Sequence, residues 1–184
     1  MCMGKIILFS FFYLGLILTP PKLVKVKVDD RLTILIPKGW RPMDDLDFTE
    51  RFPSVRAPLA AYSDESRLLD FSVNISATRW LEKDKALAQQ FFKAGITNLF
   101  DRVDMISEGV ADRNGKEFIF FEFESRVNGQ PNSEGFRASV LKYNYIQYLI
   151  GPSRTLVFSF TCPRRNKEEW QSSVHLMMEG IKVK

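Results

Sequence analysis

The chain has one histidine, His175, and two cysteines, Cys2 and Cys162, in 184 residues. A single imidazole cannot supply a clustered His and Cys ligand set for zinc. A Cys/His nucleophile pair would need Cys162, in a strand, to meet His175, in a distant helix, so no catalytic set is assigned. Cys2 precedes an N-terminal apolar run, which leaves Cys162 alone, and no intramolecular disulfide is expected. A lone Cys in a strand acts as a small buried hydrophobe. The ten glycines are isolated turn and cap residues, with no phosphate-cradling loop among them. Basic residues are scattered among acids, giving a net charge of only +4. Nucleic-acid binding, which calls for a basic stripe with interleaved aromatics, is not expected. The acids Asp44, Asp45, Asp47 and Glu50 lack the loop glycine and closing Glu of a calcium-binding loop and read as a solvated loop. No metal and no cofactor are assigned.

No apolar run reaches the roughly 20 residues that cross a bilayer as a helix. The run that follows Lys5, Ile6 to Leu18, has thirteen residues and ends at Thr19-Pro20-Pro21, which matches the apolar centre of a signal peptide. Residues 1–21 are therefore expected to be a signal peptide or a short membrane anchor, with residues 6–18 as the tether if it is kept. Residues 22–184 are expected to form one domain. Its location is expected to be extracytoplasmic, periplasmic or secreted, or anchored to the membrane by the uncleaved segment. Removing the segment takes one Lys and no acid, which leaves a mild positive charge.

What is abundant is phenylalanine, sixteen residues, and each buried aromatic ring withdraws about 150–250 Å² from water. Val24, Val26 and Val28 alternate with Lys25 and Lys27, the chain turns at Asp29-Asp30, and Leu32, Ile34 and Ile36 resume the alternation. Two short antiparallel strands follow from this period of two. Pro37 and Gly39 end the second strand. They place Trp40 as a lid whose indole N–H is expected to find a carbonyl. Residues 41–58 read as a long loop. Strands are expected at 59–62 and at "LDFSVNIS", where Asp70, Ser72, Asn74 and Ser76 form a solvated face. Asn74-Ile75-Ser76 matches a glycosylation sequon but falls in that strand.

From about Lys83 to Phe100 the period becomes helical, with Leu87, Ala88, Phe91, Phe92, Gly95, Ile96 and Leu99 as the apolar stripe. Arg113-Asn114-Gly115 then joins two long strands as a hairpin. The second strand carries Ile119, Phe121 and Phe123 on one face and Phe118 and Phe120 on the other, so it should lie centrally with cover above and below. The loop "NGQPNSEG", the strands "FRASVLKYNYIQYLI" and "RTLVFSFTC", and a second helix complete the chain. That helix starts near Asn166, which has capping-box spacing to Glu169. It buries Trp170, Val174, Met177, Met178 and Ile181. The order predicts an α+β fold, a mostly antiparallel sheet joined by hairpins with two main helices on its faces.

This order, with "LTILIPKGW" near the start and "YIQYLIGPSRTLVFSF" leading into the last helix, resembles the PsbP-like superfamily. That group includes the photosystem II extrinsic P protein, DcrB-type envelope proteins and a Ran-binding nuclear factor. The resemblance covers most of the chain after residue 22 and implies an α/β/α sandwich acting as a non-enzymatic binding or assembly module. A protein partner in the cell envelope is the expected ligand. The alternative is a small-ligand-binding domain, or a weak hydrolase, using a cleft between sheet and helix. Two clusters of Arg and aromatic residues are the candidate interface. Arg79 and Trp80 stand before the first helix. Tyr143, Tyr145, Tyr148, Arg154, Arg164 and Arg165 lie in the last hairpin and on the approach to the last helix.

Overall fold

The structure, a computed structural model, describes residues 21–51, 57–129 and 139–184. The N-terminal apolar run, Cys2 and most of "NGQPNSEG" lie outside the described residues. In the predicted first hairpin, β1 (Leu23–Lys27) pairs antiparallel with β2 (Leu32–Pro37). Its turn is held by the Asp29 carboxylate, which accepts from the backbone N–H groups of Arg31 and Leu32 at 2.7 and 2.8 Å. Those N–H bonds, chiefly that of Arg31, keep the Asp29 carboxyl below its ordinary range. A short β10 (Lys182–Val183) completes this three-stranded sheet.

The stretch read as a loop holds β3 (Arg41–Pro42) and then α1 (Asp45–Arg51). The acids are the reason. Asp44 accepts from the Asp47 N–H at 2.9 Å, an N-cap contact. Asp45 and Asp47 lie in the first turn, where the helix dipole favours negative charge. Asp47 also pairs with Arg67. The acidic cluster thus starts a helix, which alternation alone does not signal.

β4 (Ala60–Ser63) and β5 (Asp70–Ile75) follow as predicted, and then α2 (Lys85–Leu99), entered through a 3-10 turn over Glu82–Asp84. A meander closes the fold: β6 (Arg102–Arg113), β7 (Lys116–Asn128), β8 (Ser139–Ile150) and β9 (Thr155–Pro163). α3 (Lys167–Glu179) comes last before β10. The main sheet has seven strands in the order β3-β4-β5-β9-β8-β7-β6, each pair antiparallel. Connections are not hairpins throughout, because α2 carries the chain from β5 to the far edge at β6.

The β6–β7 turn has Asn114 at φ 55° and Gly115 at φ 75°, the positive pair that a two-residue hairpin turn requires. The Asn114 side chain also donates to the carbonyls of Glu179 and Ile181, 2.9 Å each, tying this turn to the end of α3. At Gly180, just past α3, a Cβ would run into the Leu35 side chain of β2.

The architecture is an α/β/α sandwich. α3 and the small sheet cover one face of the main sheet, where Ile34, Phe71, Phe118, Phe158, Phe160, Val174 and Met177 form the larger core. α2 covers part of the other face over Ile119, Phe121, Phe123 and Ile150. β7 is thus buried on both faces as its sequence predicts, though it is next to the edge and β9 holds the centre. Cys162 is buried in the larger core, and that burial pushes its thiol up to about 12. Trp40 packs on the same core, stacked on Phe160 and beside Trp170. Its indole N–H has no carbonyl partner among the described residues, so packing alone holds this lid. The Asn166–Glu169 capping box does not form. A 3-10 turn at Arg164–Asn166 runs straight into α3 and leaves Asn166 with helical backbone angles, without a side-chain cap bond.

Candidate functional site

The face under α2 is divided by its own sequence. Three rows cross it by strand register: Asn74, Val157, Tyr148, Ile119; Ser72, Ser159, Ile146, Phe121; and Asp70, Thr161, Asn144, Phe123. Each row is polar or small at the β5 end and apolar at the β7 end, and the apolar end is the part packed against α2. The polar end is tied together laterally. Asn74 donates to Ser72 at 2.9 Å, Ser72 and Ser159 hydroxyls share a 3.3 Å bond, and Thr161 donates to Asn144 at 3.0 Å. Asn144 in turn donates to Ser125 at 2.9 Å. Over this floor lies a cleft of about 640 Å³, lined by Arg67, Asp70, Ser72, Lys142, Ser159, Thr161 and Arg165 with Leu68, Val140 and Leu141. Its walls are strands and turns. No residue of α2 lines it, so it is not the cleft between sheet and helix that the sequence led us to expect.

Charge in the cleft is uneven. Arg67 is engaged by Asp47. Asp70 accepts from the Ser63 hydroxyl at 3.1 Å. Lys142 and Arg165 are exposed and have no ion-pair partner among the described residues. Around the end of the sheet two acids are already matched: Glu124 meets Arg164 at 2.7 Å and Lys167 at 3.1 Å, and Asp104 meets Arg102 at 2.9 Å.

A second polar cluster lies beneath α3. Glu122 of β7, nearly buried, accepts from Tyr143 at 2.7 Å, Gln171 at 2.6 Å and Ser107 at 2.9 Å. His175 Nε2 lies 3.1 Å from its other oxygen, off the line of a hydrogen bond. Burial pushes the Glu122 carboxyl up, but His175 and the three donors outweigh it and hold it at about 2. The carboxylate in turn raises His175 against the opposing effect of burial, and burial together with Glu122 raises Tyr143. With its oxygens taken by donors from β6, β8 and α3, this cluster is a clasp between α3 and β7.

The structure scatters the predicted interface residues. Tyr143 and Tyr145 are buried under α3, which removes them as exposed anchors; alternation along β8 turns both into the larger core. Tyr145 keeps one polar contact, accepting from Arg113 at 2.9 Å. Tyr148 lies on the opposite face, its ring stacked on Phe92 at 3.9 Å. Trp80 packs on Phe91 and Phe92 beside exposed Arg79, and its indole donates to Thr78. Arg154 reaches Asp29 at 3.5 Å, on the small-sheet side. Only Arg165 lines the cleft, with Arg164 on an adjoining hollow. Sequence reading missed Lys142, Ser159 and Thr161. The signal for the floor was present in the solvated alternation of Asp70, Ser72 and Asn74, but its neighbours across the sheet are set by register that no single strand reveals.

Comparison with solved structures matches this architecture. The solution structure of cyanobacterial PsbP (CyanoP) from Synechocystis sp. PCC 6803 superposes with a TM-score of 0.58 at 14% identity, over 96% of this chain and 99% of that one. The fold is PsbP-like. The PsbP-like fold also appears in LpqN of Mycobacterium tuberculosis, involved in cell envelope biogenesis, with a TM-score of 0.55, 13% identity, and coverage of 88% of this chain and 90% of that one. The Ran-binding protein Mog1p of Saccharomyces cerevisiae aligns with a TM-score of 0.51 at 15% identity, over 89% of this chain and 96% of that one. No family model and no curated protein matches the sequence. At these identities the PsbP-like likeness is one of fold, and function has to be argued from the site.

Proposed function

We propose that the chain is a non-enzymatic binding or assembly module of the cell envelope, exported or membrane-tethered, that acts through a protein partner. The observation that carries this reading is the half of the sheet face that α2 leaves open. A hydroxyl- and amide-bearing surface, rimmed by exposed Leu68, Val140 and Leu141 and by Lys142 and Arg165, which have no ion-pair partner among the described residues, has the mixed polar and apolar character of a protein-binding surface. The involvement of LpqN in envelope biogenesis and the Ran binding of Mog1p support a binding role by analogy of fold. Among the described residues no helix is long and apolar enough to cross a membrane, so a tether would come from residues 6–18.

The test is chemical crosslinking of the tagged full chain in its native membranes, followed by mass spectrometry of its partners and of its own N-terminal peptide. A reproducible crosslinked protein is the expected result, and a chain that is recovered alone refutes the reading. The cleft volume, about 640 Å³, also lies within the range of small-molecule sites. A small-ligand reading predicts a thermal shift on ligand screening, because saturation at a hundred times the dissociation constant adds about 2.7 kcal/mol.

A further inference from the structure

Lys142 sits opposite Pro163 in the β8–β9 register, two residues before Arg165. The two cations therefore come from β8 and from the 3-10 turn that follows β9, at one end of the cleft. Of the nearby acids, Asp47, Asp104 and Glu124 are already matched by Arg67, Arg102, Arg164 and Lys167, and Asp70 on the floor holds the Ser63 hydroxyl. Lys142 and Arg165 are thus left as cations without an ion-pair partner among the described residues of this end of the sheet. The floor can still take hydrogen bonds, because the Ser159 hydroxyl uses one bond, to Ser72, of the three that a hydroxyl can make. The rim is apolar, with Leu68, Val140 and Leu141 at 45, 52 and 41% exposure.

Among the described residues no aromatic platform lines the cleft, which disfavours nucleic acid bases. The cleft is open and its cations Lys142 and Arg165 are exposed, unlike the convergent buried groups that orient a small ligand. We propose that the cleft takes an acidic, extended segment of the protein partner. Its carboxylates meet Lys142 and Arg165, its backbone meets the Ser159 and Thr161 hydroxyls, and its apolar side chains rest on Leu68, Val140 and Leu141. This rests on the reading of the chain as a protein-binding module and adds the partner's chemistry and its place.

The test uses the full chain in its native membranes with a photoreactive residue in place of Val140, and a second variant carrying it in place of Lys25 on the small sheet. The expected result is a product joining position 140 to a partner peptide rich in Asp or Glu with apolar neighbours. The double reversal Lys142→Glu with Arg165→Glu should cut that product at least tenfold while the circular dichroism spectrum is unchanged. A partner captured only from position 25, or from position 140 through a neutral or basic peptide, overturns the acidic-segment inference and leaves the protein-binding reading standing. A product joining two copies of this chain through position 140 overturns the inference likewise. Capture of no protein from either position overturns both. In solution, a labelled peptide alternating Asp and Leu should bind the unsubstituted full chain in detergent at least tenfold more tightly than its Asn-for-Asp counterpart, with the difference shrinking as salt is added. Equal binding of the two peptides overturns the inference even if the reversed variant fails to fold.

Discussion

Glu122 shows how one residue sets a pH window for the whole clasp. Its carboxyl is lowered from 4.5 to about 2 on folding, so its contribution is complete above pH 4.5 and is lost as pH falls through that range. His175 is raised above 6.5, so its contribution is complete below pH 6.5 and is lost as pH rises through the raised value. The clasp is therefore strongest between about pH 4.5 and 6.5. Glu122→Gln removes the charge and turns one of the two oxygens that accept from Tyr143, Gln171 and Ser107 into a donor, and should cost about 2 kcal/mol near pH 5.5, more than at pH 2.5, where the native carboxyl is already partly protonated. Urea melts of the two proteins at both pH values measure this. A cost that is the same at both values would mean that the carboxylate charge does not contribute. His175 and Glu122 lie 53 residues apart in sequence, so nothing in the local pattern announces that the only histidine faces a buried acid.

At the scale of the element, α2 shows where apolar periodicity misleads. Its stripe includes Leu87, Phe91 and Leu99 together with Ala88, Phe92 and Ile96, yet only the last three are buried, while Leu87 is 59% and Phe91 49% exposed. The sheet accounts for the difference. Lys93 reaches Glu108 on β6, and at about 100° per residue Phe91 lies roughly 200° round the helix from Lys93, turned away from β6. It thus stands toward the part of the sheet that α2 does not cover. The expected consequence is a sharp contrast between neighbours. Phe92→Ala should cost about 3–5 kcal/mol, as for a ring lost from a packed core. Phe91→Ala, which loses only edge contacts with Trp80 and Phe92, should cost about 1 kcal/mol or less. Thermal melts of the two single variants decide it, and equal losses would place Phe91 in the core. The hairpin elements were far easier to read. Asn114-Gly115 and the two-sided apolar pattern of Phe118 to Phe123 are local signals, and both strands stand where those signals put them. α1 and the failed capping box at Asn166 were harder because each depends on how a 3-10 turn or a single carboxylate meets the next element.

The fold is built on one main sheet with a core on each face, and the strands that carry one core carry the other. In β7, Phe118 faces the α3 side and Ile119 the α2 side. In β8, Tyr145 faces α3 and Ile146 faces α2. Neither core can lose its strands while the other keeps them, which is the physical basis for all-or-none unfolding. The layers were legible from sequence because each strand's alternation announces two faces. The placement of α2 on half of one face was not, since it depends on the crossover from β5 to β6 and on strand order. The tryptophans supply a test on the natural chain. Trp40 and Trp170 pack in the α3-side core and Trp80 against the α2-side core. A variant with Trp40→Phe and Trp170→Phe reports through Trp80, and a Trp80→Phe variant reports through the other two. Each substitution shifts stability by its own amount, so each variant is followed by fluorescence and by far-ultraviolet circular dichroism in the same urea series. If the faces unfold together, the two signals coincide within each variant, whichever side holds the fluorophore. A fluorescence midpoint that falls below the circular dichroism midpoint only in the Trp80-reporting variant would mean that α2 leaves the sheet before the sheet dissolves, making the half-covered face the weak side of the molecule.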